Sequence, residues 1–244
     1  MNTPSTSPLT SIILALGLIV SGWFIGHGFE QSRLGGRTVT VKGVSEREVT
    51  ADVALWPIRY QATANTLDAS QRKAEDSRRA VVAFLEKQDV PAANVELQGL
   101  QVLDALANPY RSGPPPESRY IITHTLMVRS DDPQKILEAS RKVGELVDAG
   151  VLLGSGDYGP GGPTFLFTKL NDFKPEMIAD ATAKAREAAE QFARDSNSRL
   201  GGIRTANQGL FVILPRDQAP GIQEESQVQK VVRVVSTIDY YLRD

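Results

Sequence analysis

Cysteine is absent from the 244 residues, which excludes disulfides, thiolate metal sites and a cysteine nucleophile. Histidine is nearly absent, since only His27 and His124 occur, so imidazole chemistry has few candidates. Charge of one sign is also lacking: 27 basic and 29 acidic residues give a net charge of −2, which provides no basic field for nucleic acid. We therefore expect no nucleic-acid partner, no metal and no cofactor.

Signatures of known catalytic chemistries are missing as well. The sequence contains no G-x-S-x-G, H-E-x-x-H or Walker pattern. Asp52, Asp104 and Asp157 cannot be paired from sequence into an acid–base couple. His124 lies on the apolar face of a predicted strand, which is typical of a satisfied, partly buried histidine. We expect the protein not to be an enzyme and assign no catalytic residue.

One long apolar run is present near the N-terminus. No Asp, Glu, Lys or Arg occurs from Leu9 to Phe29, and a helix of this length reaches roughly the 30 Å of a bilayer's hydrocarbon. We predict a tail over 1–8, a retained transmembrane anchor in the lipid bilayer over 9–29 and a tether over 30–36. A cleaved signal peptide is the alternative, but no basic residue precedes the run and Ser21 offers a poor cleavage site.

Two features of this run bear on partners and orientation. Gly22 and Gly26 have the spacing that lets two membrane helices approach closely, a weak indication of oligomers. Arg33, Arg37 and Lys42 follow the run, and the positive-inside rule alone would therefore place the domain in the cytoplasm.

Residues 37–244 are predicted to form an α+β domain. Apolar alternation predicts strands over 39–55, 58–62, 95–103, 120–128, 203–214 and 228–242. Helical spacing predicts three helices, which begin at Asn65 or Thr66, at Asp132–Pro133 and near Pro175. Because hairpins are mixed with helices, we expect antiparallel sheets with three helices packed on them, preceded by the transmembrane helix.

Two local features complete the predicted domain. The apolar phase changes near Trp56–Pro57, which predicts a bulge or an edge position because proline cannot donate to a ladder. The last strand is apolar on both faces, which predicts a central, covered position. The alanines of the third helix imply close packing, with Met177, Ala181, Ala185, Ala188 and Phe192 on its buried face.

A glycine-rich loop follows the second helix. Gly154, Gly156 and Gly159 match G-x-G-x-x-G, with Asp157 among them. A phosphate cradle needs a helix N-terminus directly afterwards, whereas prolines, glycines and strand-like residues 164–168 follow here. We therefore reject a nucleotide site and keep, as the alternative function, a small-molecule or peptide binding module that uses the loop near 154–163.

The predicted domain contains, in this order, the segments Val39 to Gly43 with Glu48 to Ala54, Ala181 to Arg186, Leu200 to Ile203, and Val234 to Leu242. Together these segments resemble the SIMPL domain family, which includes bacterial periplasmic oxidative-stress defence proteins. The resemblance covers nearly all of 37–242, although the proline that commonly precedes the residue corresponding to Asp52 is lacking. Each segment is loosely defined, so the order and spacing carry the resemblance.

The resemblance implies a non-catalytic envelope protein with a link to oxidative stress. Together with the predicted anchor over 9–29, it leads us to expect a membrane-anchored envelope protein that supports envelope or oxidative-stress tolerance. It also implies assembly, since some relatives form ring-like or channel-like homo-oligomers, and it names no other protein partner. We follow it over the charge bias and expect a single-pass protein of the bacterial inner membrane whose domain faces the periplasm.

Overall fold

A computed structural model describes residues 8–34, 36–107, 116–154 and 162–243. Within these ranges, five α-helices are combined with nine β-strands. The helices are α1 (Pro8–Leu34), α2 (Leu67–Lys87), α3 (Pro133–Arg141), α4 (Gly144–Asp148) and α5 (Leu170–Asp195). The strands are β1 (Thr38–Thr50), β2 (Val53–Ala64), β3 (Val95–Asp104), β4 (Tyr120–Ser130), β5 (Leu152–Leu153), β6 (Thr164–Leu166), β7 (Arg199–Gln208), β8 (Val212–Pro215) and β9 (Gln229–Arg243).

The protein has the α+β class with two antiparallel sheets. One sheet has the order β1-β9-β7, with β8 also paired to β9, so β9 is central, as its apolar faces predict. The other has the order β3-β4-β2-β5, with β6 also paired to β2. The chain divides into two compact units. The first unit comprises Met1–Ser45, Glu176–Leu210 and Val234–Asp244, and the second Glu46–Pro175 and Phe211–Arg233.

The prediction of a transmembrane helix over 9–29 is wrong. In the part of the chain that the structure describes, no helix combines the length and the apolarity that a membrane crossing needs.

The number and bounds of the predicted helices also need correction, because four helices rather than three follow α1 in the described part of the chain. The second predicted helix is interrupted between α3 and α4. There the N–H groups of Lys142, Val143 and Glu145 bond to carbonyls three residues earlier, which is the tighter 3-10 geometry. The third begins at Leu170 rather than near Pro175.

The starts of α2 and α3 were predicted well because their signals are local. Thr66 caps α2, and its hydroxyl oxygen accepts from the backbone N–H of Ala69 at 3.3 Å. Asp132 caps α3 and accepts from the N–H of Lys135 at 3.3 Å, with Pro133 in the first turn. Both are standard N-cap bonds, worth about 1 kcal/mol each.

The bulge predicted at Trp56–Pro57 is wrong, because β2 and β4 pair in one register along the whole of β2. The apolar phase changes earlier, at Val53 and Ala54, which are both buried at the start of β2. On the side of β2 away from β4, β6 pairs with residues 53–55 and β5 with residues 60–61. Pro57 lies in the gap between these two stretches, where no backbone N–H is needed for pairing. Among the described strands, none pairs with Pro57 on that side, so the alternative of an edge position holds there.

The first unit is built around a close contact between β1 and α5. The buried alanines of α5 lie four residues apart, at positions 181, 185, 189 and 193, so the face carries little side-chain bulk. Gly43 lies against this face: a Cβ placed on it would be 1.9 Å from the Ala181 carbonyl oxygen. The close packing predicted from the alanines is therefore confirmed.

The second unit has the larger apolar core. Its buried side chains come from β2, β4, α2, α3 and α4, and include Trp56, Ile58, Val81, Leu85, Val128, Ile136 and Leu146. Burial of each large apolar side chain stabilises the fold by about 1.5–3 kcal/mol relative to exposure. Since Trp56, Ile58 and Tyr60 point into this core, the intervening residues of β2 lie on the opposite sheet face.

Candidate functional site

β3 is an edge strand of the five-stranded sheet, and exposed apolar side chains lie along it and on the turn that follows it. Among the described strands it pairs with β4 alone. The side chains of Leu97, Leu100, Val102, Leu103 and Leu106 are each 52–58% exposed. We call these five side chains the apolar edge. A row of half-exposed apolar residues beside unpaired backbone groups is a template for strand pairing.

The apolar edge is exposed because α2 lies over other strands. Leu97, Leu100 and Val102 pair with residues of β4, but α2 packs mainly on β2 and β4, so water reaches the β3 side chains on that face. Natural edge strands are commonly protected by lysine, proline or a β-bulge. β3 contains no lysine or proline, and its only charged residues are Glu96 and Asp104. Its register against β4 shifts once, between Leu97 and Gly99, and the segment from Leu100 to Leu103 continues without a further shift.

An ion pair fixes the end of the apolar edge. Arg119 Nη2 donates to Asp104 Oδ2 at 2.9 Å, and the N–H of Leu106 donates to Asp104 Oδ1 at 3.0 Å. The Arg119 guanidinium therefore holds the pKa of the Asp104 carboxyl below its usual range. These bonds order the chain just before the tip of the β3–β4 hairpin.

His124 lies where its strand pattern predicts, beside a buried tyrosine. The Tyr60 hydroxyl and His124 Nδ1 are 2.9 Å apart, and Tyr60 has no exposed surface. Burial raises the pKa of Tyr60 to about 12 and lowers the pKa of His124. Glu75 and Arg78 of α2, paired at 2.7 Å, act on His124 with opposite signs, Glu75 raising and Arg78 lowering its pKa.

Replacing His124 by glutamine should reduce the pH dependence of stability. The folded pKa of His124 lies below the unfolded value of about 6.5, so the unfolded chain binds more protons in this range. The contribution of neutral His124 is complete above about pH 6.5 and is lost as pH falls through the folded pKa. Urea unfolding can be measured at about pH 7.5 and pH 5.5. The drop in the free energy of unfolding between these two pH values should be smaller in His124→Gln than in wild type, by less than about 1 kcal/mol.

An equal loss in both proteins would contradict this assignment of His124. A second informative result is the stability of the variant at neutral pH. If it were unchanged while a ligand or metal was lost, the structural role of His124 would be wrong.

A cleft of about 330 Å³ lies between α2, β2 and the segment before β5. Lys73 Nζ donates to the Thr63 carbonyl at 3.1 Å across it, and Asp76 is paired with Arg79. The charged groups that line the cleft are therefore engaged with their neighbours. This arrangement favours a solvated groove over a site where an acid and a base converge on a substrate.

Asp52, the aspartate of the opening motif, has a structural role. Its Oδ1 accepts from the N–H of Thr168 and its Oδ2 from the Thr168 hydroxyl, both at 2.8 Å. Its own N–H donates to the Leu166 carbonyl at 2.9 Å. Asp52 therefore links the junction of β1 and β2 to the segment that follows β6. Asp104 bonds to other residues, so the two aspartates share no hydrogen-bond partner.

Only part of the predicted ligand loop can be placed. The N–H of Gly154 donates to the Arg59 carbonyl at 2.9 Å, whereas Gly156, Asp157 and Gly159 lie outside the described residues. On α1, Gly22 and Gly26 have no neighbour within 4 Å of an added Cβ. The packing role of these two glycines stays a prediction.

Sequence reasoning missed a buried charge in the second unit. Lys230 of β9 has no exposed side-chain surface, and its ammonium donates to the carbonyl and the carboxylate of Glu224. The only sequence signal is a lysine at an alternating apolar position of a strand that is apolar on both faces. Such a residue is buried only when it is paired.

A comparison with protein families finds one match. The family model described as "SIMPL: Protein of unknown function (DUF541)" matches residues 39–236. No curated protein matches the chain. Within the ranges that the structure describes, no three His, Cys, Asp or Glu residues are grouped as a metal site.

Proposed function

The chain belongs to the SIMPL family, and on that premise we propose that it is a non-catalytic protein of the bacterial envelope. It assembles with copies of itself and supports tolerance of oxidative stress on the periplasmic side. The single observation that carries the assembly is the apolar edge of β3. The compartment and the stress role rest on the resemblance to periplasmic stress-defence proteins.

A second copy of the chain is the partner that this edge fits. A strand added to β3 would satisfy its outer N–H and C=O groups, and apolar side chains would cover the apolar edge. β3 contains no basic residue and only two acidic residues, so it has too little charge to select an oppositely charged partner. Assembly of like chains is also what the resemblance implies.

The non-catalytic assignment rests on the resemblance and on the chemistry of the polar clusters. The family implies no active site, and the sequence contains none of the catalytic motifs considered above. Asp52, Asp104 and Tyr60 each bond to neighbours that hold strands or turns together. A protein of this kind acts through its assembly, so its function should depend on the β3 edge.

The stress role can be tested with a host whose own copy of the gene is deleted. We expect wild type to restore growth under peroxide, and the double variant Leu100→Lys/Val102→Lys to fail at equal expression, because charged edge residues prevent strand pairing. Val147→Lys is the matched control, since Val147 of α4 is 58% exposed and lies away from β3. Full rescue by the double variant would contradict the proposal.

A further inference from the structure

The sheet face opposite the core of the second unit carries a polar row. Arg59 of β2 pairs with Thr125 of β4, which in turn pairs with Gly99 of β3. On the other side, Gly154 follows β5 and donates its N–H to the Arg59 carbonyl at 2.9 Å. The row therefore reads Gly99, Thr125, Arg59, Gly154 across three strands and the residue that follows β5. Glycines at both ends leave a guanidinium and a hydroxyl between them.

Arg59 has a hydrogen-bond donor that lacks an acceptor. Its Nε is buried, and the described residues provide no partner for it. Nearly all buried polar groups in folded proteins are bonded, and a buried donor without a partner costs about 1–3 kcal/mol, or more when the group is charged. A ligand that accepts a hydrogen bond from Arg59 Nε would explain why this donor has no partner within the protein.

The surroundings of Arg59 favour an anion. Gln61, Thr123 and Thr125 are the nearest side chains on this face by strand register, and all three are neutral. The charged residues on the same face are Arg129, on β4, and the exposed Glu96, which pairs with Met127. No hydrogen bond in the described part joins either of these two residues to Arg59.

Gly154 places no side chain over Arg59. A Cβ on Gly154 would lie 3.6 Å from Arg59 Cγ and 3.7 Å from Gln61 Cγ, which is ordinary van der Waals contact with both stems. At the other end, a Cβ on Gly99 would meet Thr125 at 3.6 Å. Both ends of the row are therefore formed by backbone alone.

We infer that this row binds a small oxyanion of the carboxylate or phosphate class. The Nε–H and one Nη–H of a guanidinium form a planar fork that matches two oxygens of such a group. The unpartnered Nε of Arg59 is the inner arm of that fork, and the Thr125 hydroxyl is a further donor beside it. This site does not depend on assembly through β3.

The test measures thermal unfolding of the full chain with sodium acetate or inorganic phosphate, at ionic strength matched with sodium chloride. Ligand that binds only the folded state raises the midpoint in a saturable way. We expect wild type to respond to at least one probe and Arg59→Met to lose the response. Arg129→Met is the control and should keep it, since that side chain is 61% exposed. Response to acetate alone assigns a carboxylate ligand, and response to phosphate alone assigns a phosphate.

Absence of any saturable response in wild type would overturn the inference, as would an equal response in Arg59→Met. The midpoint without probe gives a second readout. Because methionine removes a buried donor without an acceptor, Arg59→Met should unfold at the same temperature as wild type or higher. A midpoint several degrees lower would show that Arg59 has a structural role instead.

Discussion

Replacing Gly43 by alanine is expected to destabilise the first unit severely. The added Cβ would lie 1.9 Å from the Ala181 carbonyl oxygen and 2.5 Å from the Ala185 backbone nitrogen. Both are main-chain atoms of α5, so no side-chain rotation can relieve the overlap. β1 or α5 must move, and overpacking of this kind costs about 3 kcal/mol or more.

The damage should extend beyond Gly43 because one contact surface serves the whole unit. The same face of α5 buries Ala185 and Ala189 against Val39, Ile238 and Tyr240. Displacing α5 by enough to admit a methyl group would open this cluster and reduce its dispersion contacts. We therefore expect a large drop in the urea midpoint and a protein that is mostly unfolded under mild denaturant.

Gly202→Ala is the matched control for this measurement. Gly202 lies on β7 of the same unit, and no atom lies within 4 Å of an added Cβ. Alanine there should leave the midpoint unchanged or raise it slightly, because it reduces the entropy of the unfolded chain. If Gly43→Ala were as stable as Gly202→Ala, the close approach of β1 and α5 would be wrong.

Replacing Lys230 by alanine should cost about 3 kcal/mol, because removing one member of a buried ion pair leaves its partner uncompensated. Breaking a buried ion pair costs about 3–5 kcal/mol, and we expect the lower end of this range because the Glu224 side chain is 25% exposed and can regain some water. The substitution also removes the aliphatic stem that fills the space beneath the loop between β8 and β9.

The loop itself should become less ordered in Lys230→Ala. It is held by two reciprocal bonds, from the Asp217 N–H to Gln227 Oε1 and from Gln227 Nε2 to the Asp217 carbonyl, both at 3.1 Å. Without Lys230, the described side-chain bonds across the loop would be reduced to these two. Limited proteolysis between β8 and β9 should therefore be faster in the variant.

Lys87→Ala provides the comparison for Lys230. Lys87 also pairs with a carboxylate, Glu145, at 2.9 Å, but its side chain is 70% exposed. Exposed pairs contribute roughly 0–1 kcal/mol, so burial alone separates the two lysines. Equal losses in the two variants would show that Lys230 is not buried in solution.

The sequence predicted those features of the fold that depend on neighbouring residues. Thr66 and Asp132–Pro133 start helices because capping is decided within four residues. β9 was predicted as a central strand because apolar residues on both faces need cover on both sides. The phase change near Pro57 was detected, but it occurs three to four residues earlier, at Val53 and Ala54, where β2 begins.

Features that depend on distant contacts could not be predicted. Gly43 is an ordinary strand glycine until α5, more than a hundred residues away in sequence, lies against it. The buried stripe of α5 was predicted to continue through Ala188 and Phe192. It continues instead through Ala189 and Ala193, while Phe192 is 50% exposed. Four-residue and three-residue steps fit helical periodicity equally well, and only the need for small residues against β1 decides between them.

The candidate sites show the same division. A strand over 95–103 was predicted, but sequence does not state which strands border a sheet, so the apolar edge became visible only with the order β3-β4-β2-β5. The missing acceptor at Arg59 is likewise a property of several strands together. The transmembrane prediction was based on the length of an uncharged run with an apolar centre, whereas no helix in the described part of the chain is both long and apolar enough to cross a membrane.

Self-assembly through β3 is tested most directly by sedimentation velocity of the full chain over a range of concentrations. Wild type and Val147→Lys should both sediment as species heavier than the 26.5 kDa chain, and Leu100→Lys/Val102→Lys should sediment as the single chain with an unchanged circular dichroism spectrum. A wild-type protein that remains a single chain throughout, or a double variant that assembles as wild type does, would contradict the account.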